Sequence, residues 1–266
     1  MVRWGMQRPF RRFVRGIVCR TALHLPHVVN LLATPSPVPV RSHRSHEAES
    51  TPPLLVLLPG IADTAEDYER YGFIEAVQRR RIPLDLALVD AHYGYYAKRS
   101  VLDRIREDVI VPARASGYRR IWLGGISMGG FGALLYASRF PGEVDGVFAL
   151  APYLGGASLI DEIANAGGLR RWNPTDVGGH EHERSVWSWL RHDGEPIEHP
   201  PILLGYGEAD RFASAHRLLS EVLPPNRVLT TPGKHRWPVW RRLWDSWLVQ
   251  DAFQRSLVGR PGQPSQ

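Results

Sequence analysis

Cysteine is almost missing from the chain: Cys19 is the only one in 266 residues. One thiol closes no intramolecular disulfide and builds no Cys-based metal site, which removes the disulfide-stapled and zinc-ribbon classes. Lysine is nearly missing too, with Lys98 and Lys234 alone, so arginine carries the positive charge. That Arg-rich, Lys-poor composition predicts a bacterial source of high genomic GC content. No apolar run is long enough to span a bilayer, so stable membrane insertion is not expected. No Gly-x-x-x-x-Gly-Lys-Ser/Thr phosphate loop exists, and no Gly-x-Gly-x-x-Gly turn opens the first strand–helix unit, which argues against a nucleotide cofactor. His43-x-x-His46 and His180-x-His182 lack nearby cysteines and a helical His-Glu-x-x-His pattern, so neither predicts a metal. No cofactor is expected.

The formal charge is +6, from 33 Lys and Arg against 27 Asp and Glu, but it is concentrated at one end. Residues 1–50 hold eight arginines against Glu47 and Glu49, which leaves 25 basic and 25 acidic residues in the remainder. A neutral body has no net field to attract nucleic acid. Arg11-Arg12-Phe13 followed by Val14 to Ala33 faintly resembles a secretion signal. Arg15, Arg20, His24, Pro26 and His27 interrupt the apolar part, so a cytoplasmic location is expected and the periplasm stays open. Pro35-Ser36-Pro37-Val38-Pro39 and the polar residues to Ser50 read as a linker. The expected organisation is a basic extension over 1–50, a body over 51–258 and a tail over 259–266.

Within the body, short apolar runs alternate with helical patterns. Strands are predicted at Leu54–Leu58, Leu84–Val89, from Ile121, at Gly146–Leu150, Ile202–Tyr206 and Val228–Thr230. Helices are predicted from Asp63 or Thr64 to about Arg80, over Val101–Ala115, after Ser127 to Phe140, over Ala213–Val222 and from about Val239. Asp90 to Tyr96 is an aromatic loop, and 152–200 is an insertion that could cap the sheet. The pattern predicts an α/β fold with a mostly parallel sheet and helices on both faces. Right-handed crossovers then gather Gly60-Ile61, Asp90–Tyr96, Ser127, Gly207–Asp210 and Pro232–His235 at the carboxyl edge.

One of those turns carries chemistry. Gly125-Ile126-Ser127-Met128-Gly129 joins a strand-like run to an Ala/Leu-rich helix, and glycines two residues either side of the serine suit a sharp, strained turn. A serine hydroxyl needs a base, and the base needs a group to fix its tautomer. On such a sheet the chain order is Ser, then Asp or Glu, then His. Asp210 follows the penultimate strand, with Glu208 as the rival acid, and His235 follows the last strand. Backbone N–H groups of Met128 and of Ile61, with Ala62 as the alternative, would form an oxyanion hole. Asp63 reads as a helix cap. Tyr93, Tyr95 and Trp237 are candidate substrate contacts among aromatic residues that also suit a core, whereas Trp240 repeats with Leu243, Trp244 and Trp247 along one helix face.

With these residues assembled, residues 51 to 250 resemble the α/β-hydrolase superfamily. The closing Gly233-Lys234-His235-Arg236-Trp237-Pro238-Val239-Trp240 is similar to the Gly-x-His-x-Trp-x-x-Trp ending of the esterase family that includes esterase D-like enzymes and mycolyltransferases. The resemblance implies a Ser127–His235–Asp210 triad and a small-molecule ester substrate cleaved through an acyl-enzyme. Acyl transfer and thioester hydrolysis use the same triad, and a non-catalytic hydrolase-like binding protein is the remaining alternative. Oligomeric state is left open. Two features depart from the superfamily: Pro59 stands where His is common before Gly60, and the first antiparallel strands are missing unless residues 36–50 supply one.

Overall fold

A computed structural model describes residues 33–45, 51–174, 182–191 and 199–250, together with 253, 254 and 257. The arginine-rich arm with Cys19, His46, His180 and the tail lie outside the described residues.

Strand formation follows burial. β1 (Val40–His43), β2 (Leu54–Leu58), β3 (Asp85–Val89), β4 (Ile121–Ile126), β5 (Gly146–Leu150), β6 (Ile202–Gly207) and β7 (Val228–Thr231) make one sheet in the order β1-β3-β2-β4-β5-β6-β7. Every residue of β2 to β6 is buried, which requires cover on both faces and explains the unbroken apolar runs. All neighbours are parallel except β1, which runs antiparallel to β3 with Val40 opposite Val89. The order grows outward in both directions from β2 and β4, so the crevice above their carboxyl ends is the switch point where ligands bind in open α/β sheets.

β1 is the antiparallel strand that residues 36–50 were asked to supply. Its residues resemble a linker because an edge strand facing water carries no apolar run: three of the four are exposed. Arg41 reaches Glu69 through two hydrogen bonds of 2.9 and 2.7 Å, and buried Val38 donates its N–H to Asp108 Oδ2 at 2.8 Å.

The helix expected to run to Arg80 is two helices, α1 (Ala65–Arg70) and α2 (Phe73–Arg79), parted at Gly72 with φ 76°. Thr64 caps α1 in a capping box with Asp67. The aromatic stretch contains a short helix, α3 (Tyr93–Ala97), capped by His92 Nδ1 accepting from Gly94 N–H. α4 (Val101–Ile105) passes through a π-helical turn (Arg106–Ile110) into α5 (Val111–Ala115). α6 (Met128–Arg139) is buried from Met128 to Ala137. The insertion contributes α7 (Ala157–Asn165) and α8 (His182–Arg191), joined by Arg184 on Glu162 at 2.7 Å and anchored by Trp187 Nε1 donating to Leu154 O at 2.6 Å. α9 (Ala213–Ser220) and α10 (Trp237–Leu248) complete the chain, and α10 buries Trp240, Leu243, Trp244 and Trp247. No helix of the described residues is long and apolar enough to cross a membrane.

Candidate active site

β4 delivers the chain directly to Ser127, whose φ of 53° and ψ of −111° are rarely adopted by residues with a Cβ. Such a conformation costs about 1–3 kcal/mol and persists only where neighbours over-determine it. Here Ser127 N–H donates to Leu150 O at 2.9 Å, and its carbonyl accepts from Phe131 N–H at 3.1 Å and Tyr153 N–H at 2.9 Å. Glycine is required on both sides. A Cβ on Gly129 would collide with the Leu58 backbone, and one on Gly125 with Leu58 O and the Gly129 carbonyl. A second left-handed residue, Ala151 (φ 45°), ends the neighbouring β5 and donates to Gly205 O at 2.7 Å.

Two strands further along, Asp210 and His235 meet. His235 Nδ1 lies 2.8 Å from Asp210 Oδ2, and Asp210 Oδ1 accepts from Phe212 N–H at 2.9 Å. Against an ionised carboxylate Nδ1–H is the donor, which leaves Nε2 with its lone pair. Burial pushes the Asp210 carboxyl up, but the bond and charge of His235 and the Phe212 N–H outweigh it and hold the group below its ordinary value. The imidazole stands between the edges of Phe212 and Trp240, at 5.1 and 4.9 Å. Backbone bonds zip the two loops together: Glu208 N–H to Thr231 O at 2.9 Å and Ala209 N–H to Gly233 O at 3.0 Å. The side chain of Glu208 is exposed and turns to Thr230 Oγ1 at 3.4 Å, away from His235.

Behind Asp210 lies His216, fully buried, with Nε2 donating to Pro152 O at 2.9 Å. Burial pushes its imidazole down to about 4, against the opposing pull of Asp210 and of the Pro152 carbonyl. His216 therefore ties α9 to the residue next to Tyr153, whose N–H holds Ser127 O.

On the opposite side of Ser127, the turn after β2 carries Ile61 and Ala62, closed by Asp63 N–H on Gly60 O at 3.2 Å. Met128 N–H opens α6 and is one of the donors a helix leaves unpaired at its start. Asp63 is not the cap of α1, since Thr64 and Asp67 do that work. Its Oδ1 accepts from Trp237 Nε1 at 3.0 Å. Burial is the main influence on this carboxyl and raises it, while the Trp237 bond pulls the other way.

Of the three expected substrate contacts, Tyr93 is half-buried and the other two are engaged elsewhere. Tyr95 is fully buried with its hydroxyl on Pro35 O at 2.8 Å, so it anchors the segment before β1. Trp237 is 8% exposed, bonded to Asp63 and stacked on Tyr71 at 4.6 Å. Their neighbour Tyr96 reaches the elbow instead, donating to Met128 O at 3.1 Å. A row of rings that the sequence did not reveal runs from Phe131 to Tyr153 (6.0 Å), Phe212 (5.6 Å) and His235 (5.1 Å). Its members come from four separate segments, and the signal in the sequence was limited to the closeness of Phe131 to Ser127 and of Phe212 to Asp210. Among the described residues no group of three or more His, Cys, Asp or Glu side chains is arranged to hold a metal.

Residues 53–185 match the family model of the α/β hydrolase fold. No curated protein matches the chain by sequence. Among solved structures it is similar to FphF, a fluorophosphonate-binding serine hydrolase of Staphylococcus aureus, with a TM-score of 0.58 and 19% identity over 82% of this chain and 96% of that one. It is also similar to the S-formylglutathione hydrolase FrmB of the same organism, with a TM-score of 0.52 and 17% identity over 82% and 100% of the two chains. A third is Est1E of Butyrivibrio proteoclasticus with ferulic acid bound, with a TM-score of 0.54 and 18% identity over 80% and 94%. At these identities the likeness speaks to the fold.

Proposed function

The chain belongs to the α/β-hydrolase fold family, and from that premise we propose that it cleaves a carboxylic ester through an acyl-enzyme on Ser127. The observation that carries this reading is the 2.8 Å pair of Asp210 and His235, on loops that share the carboxyl edge with a strained, positive-φ Ser127. In the reaction Ser127 Oγ attacks the ester carbonyl while His235 Nε2 takes its proton. The oxyanion forms against the N–H groups of Ile61 and Met128. His235 then returns the proton to the departing alcohol, and water repeats the sequence on the acyl-enzyme to release the acid. Asp210 fixes the tautomer and faces the imidazolium. With its carboxyl held low, Asp210 stays ionised through the range in which a histidine can act as base.

The test is turnover of p-nitrophenyl esters of increasing acyl length by the purified protein and by Ser127→Ala. We expect hydrolysis that disappears with Ser127 and a rate that depends on acyl length. A folded protein inert toward every ester in the series overturns ester hydrolysis.

A further inference from the structure

The mechanism uses Asp210 and leaves a second, half-buried carboxylate at the same edge without a role. Asp63 lies in the turn after β2, beside the N–H assigned to the oxyanion, and α1 is capped without it. Its two oxygens face two different loops. Oδ1 accepts from the indole of Trp237, which follows His235 by two residues and is 174 positions away in the chain. Oδ2 leans over Gly60 so closely that a Cβ there would collide with it.

Both partners are themselves fixed. The Trp237 ring stacks on Tyr71 and meets the edges of Tyr68 at 5.4 Å, Phe73 at 5.8 Å and Trp240 at 5.4 Å. Trp240 in turn abuts the ring of His235. Tyr68 donates its buried hydroxyl to Leu58 O at 2.7 Å, so the strand end leading into Gly60 is held as well. The charged groups acting on Asp63 are Asp67 and His235, one from α1 and one from the loop before α10.

We propose that Asp63 is a positioning residue: through Trp237 it holds the Gly60-Ile61 peptide in register with the His235 loop, so that the oxyanion donor and the base face the same reacting carbonyl. This rests on the reading given under Proposed function. A donor misplaced by an ångström loses most of its effect on the transition state while the ground-state substrate still binds.

Three variants of the full chain test it: Asp63→Ala, Asp63→Asn and Trp237→Phe, with Ser127→Ala as the blank. Asp63→Ala and Trp237→Phe should each lower kcat by about 10- to 100-fold, with KM within about twofold, since the lost interaction is realised in the transition state. The double variant should be no slower than the slower single one, because both remove the same link. Asp63→Asn should recover kcat to within about threefold of wild type, as its amide oxygen accepts the same indole N–H. Melting temperature and active-site titration with a fluorophosphonate express each rate per folded, reactive site. Asp63→Ala at wild-type kcat per titrated site overturns the proposal, as does Asp63→Asn no better than Asp63→Ala, or a multiplicative double variant. A wild type that neither turns over ester nor is labelled at Ser127 overturns the functional reading itself, a separate outcome.

Discussion

The two sides of Ser127 are built differently. On the β6–β7 side, the loops bearing Asp210 and His235 are joined by main-chain hydrogen bonds, and the acid–base contact is laid over that zipper. On the β2 side, the turn bearing Ile61 reaches the same His235 loop through a pair of side chains, Asp63 and Trp237. The two aspartates differ accordingly. Asp210 bonds directly to a group that can become a cation, and its carboxyl is held down; Asp63 bonds to a neutral indole and to the Gly60 backbone, and burial outweighs both and raises it. A residue type does not fix a role; the partners available at its depth do.

The sharpest contrast should appear in the isosteric replacements. Asp210→Asn keeps the shape but loses the acceptor that sets the His235 tautomer, and should lower kcat by about 10³- to 10⁴-fold. Equal losses in Asp210→Asn and Asp63→Asn would erase the distinction drawn here.

Stability against pH should separate the same two sides. His216 sits behind Asp210 with its pKa depressed to about 4. Between there and the ordinary imidazole range of roughly 6.5 the unfolded chain binds the extra proton, so stability falls as pH falls through that window, by up to roughly 3 kcal/mol. Asp63 has the opposite sign: its raised carboxyl binds protons more tightly in the fold, so its contribution declines as pH rises. Urea denaturation at pH 7 and pH 4.5 should show a drop that His216→Gln flattens. An unchanged drop in that variant would remove His216 from the account.

Glycine substitutions probe the connections themselves. A Cβ on Gly207 would meet Gly233 C at 3.0 Å and Val239 Cγ1 at 3.1 Å, so main chain would have to shift; Gly207→Ala should cost about 2–3 kcal/mol. A Cβ on Gly60 meets chiefly the Asp63 carboxylate, which can rotate away. Gly60→Ala should therefore lose less stability, within about 1 kcal/mol, while reproducing the kinetic defect of Asp63→Ala. Thermal melts and steady-state kinetics on the pair would decide this, and matched melting losses would contradict it.

What the sequence made legible follows from burial. β2 to β6 are covered on both faces, so each is an apolar run that can be read directly, and the glycines around Ser127 are dictated by backbone contacts with β2. β1 left no such trace, because an exposed edge strand rich in Arg and His looks like a linker. The break at Gly72 was hidden because one left-handed glycine interrupts an otherwise sound helical pattern. At the site, chain order assigned Asp210 and His235 to adjacent strand ends. The Asp63–Trp237 contact joins residues with no local relation, and Trp237 beside a histidine looked like a pocket wall. Only the tertiary arrangement turns its N–H inward.

The left-handed Ser127 also has an evolutionary meaning. Glycine adopts φ 53° without the steric penalty that serine meets, so Ser127→Gly would relax the turn that now holds the hydroxyl forward. Selection for thermal robustness alone would then drift toward an inert chain with the same fold. On the proposed reading, serine at this position is maintained by selection for turnover and not for stability.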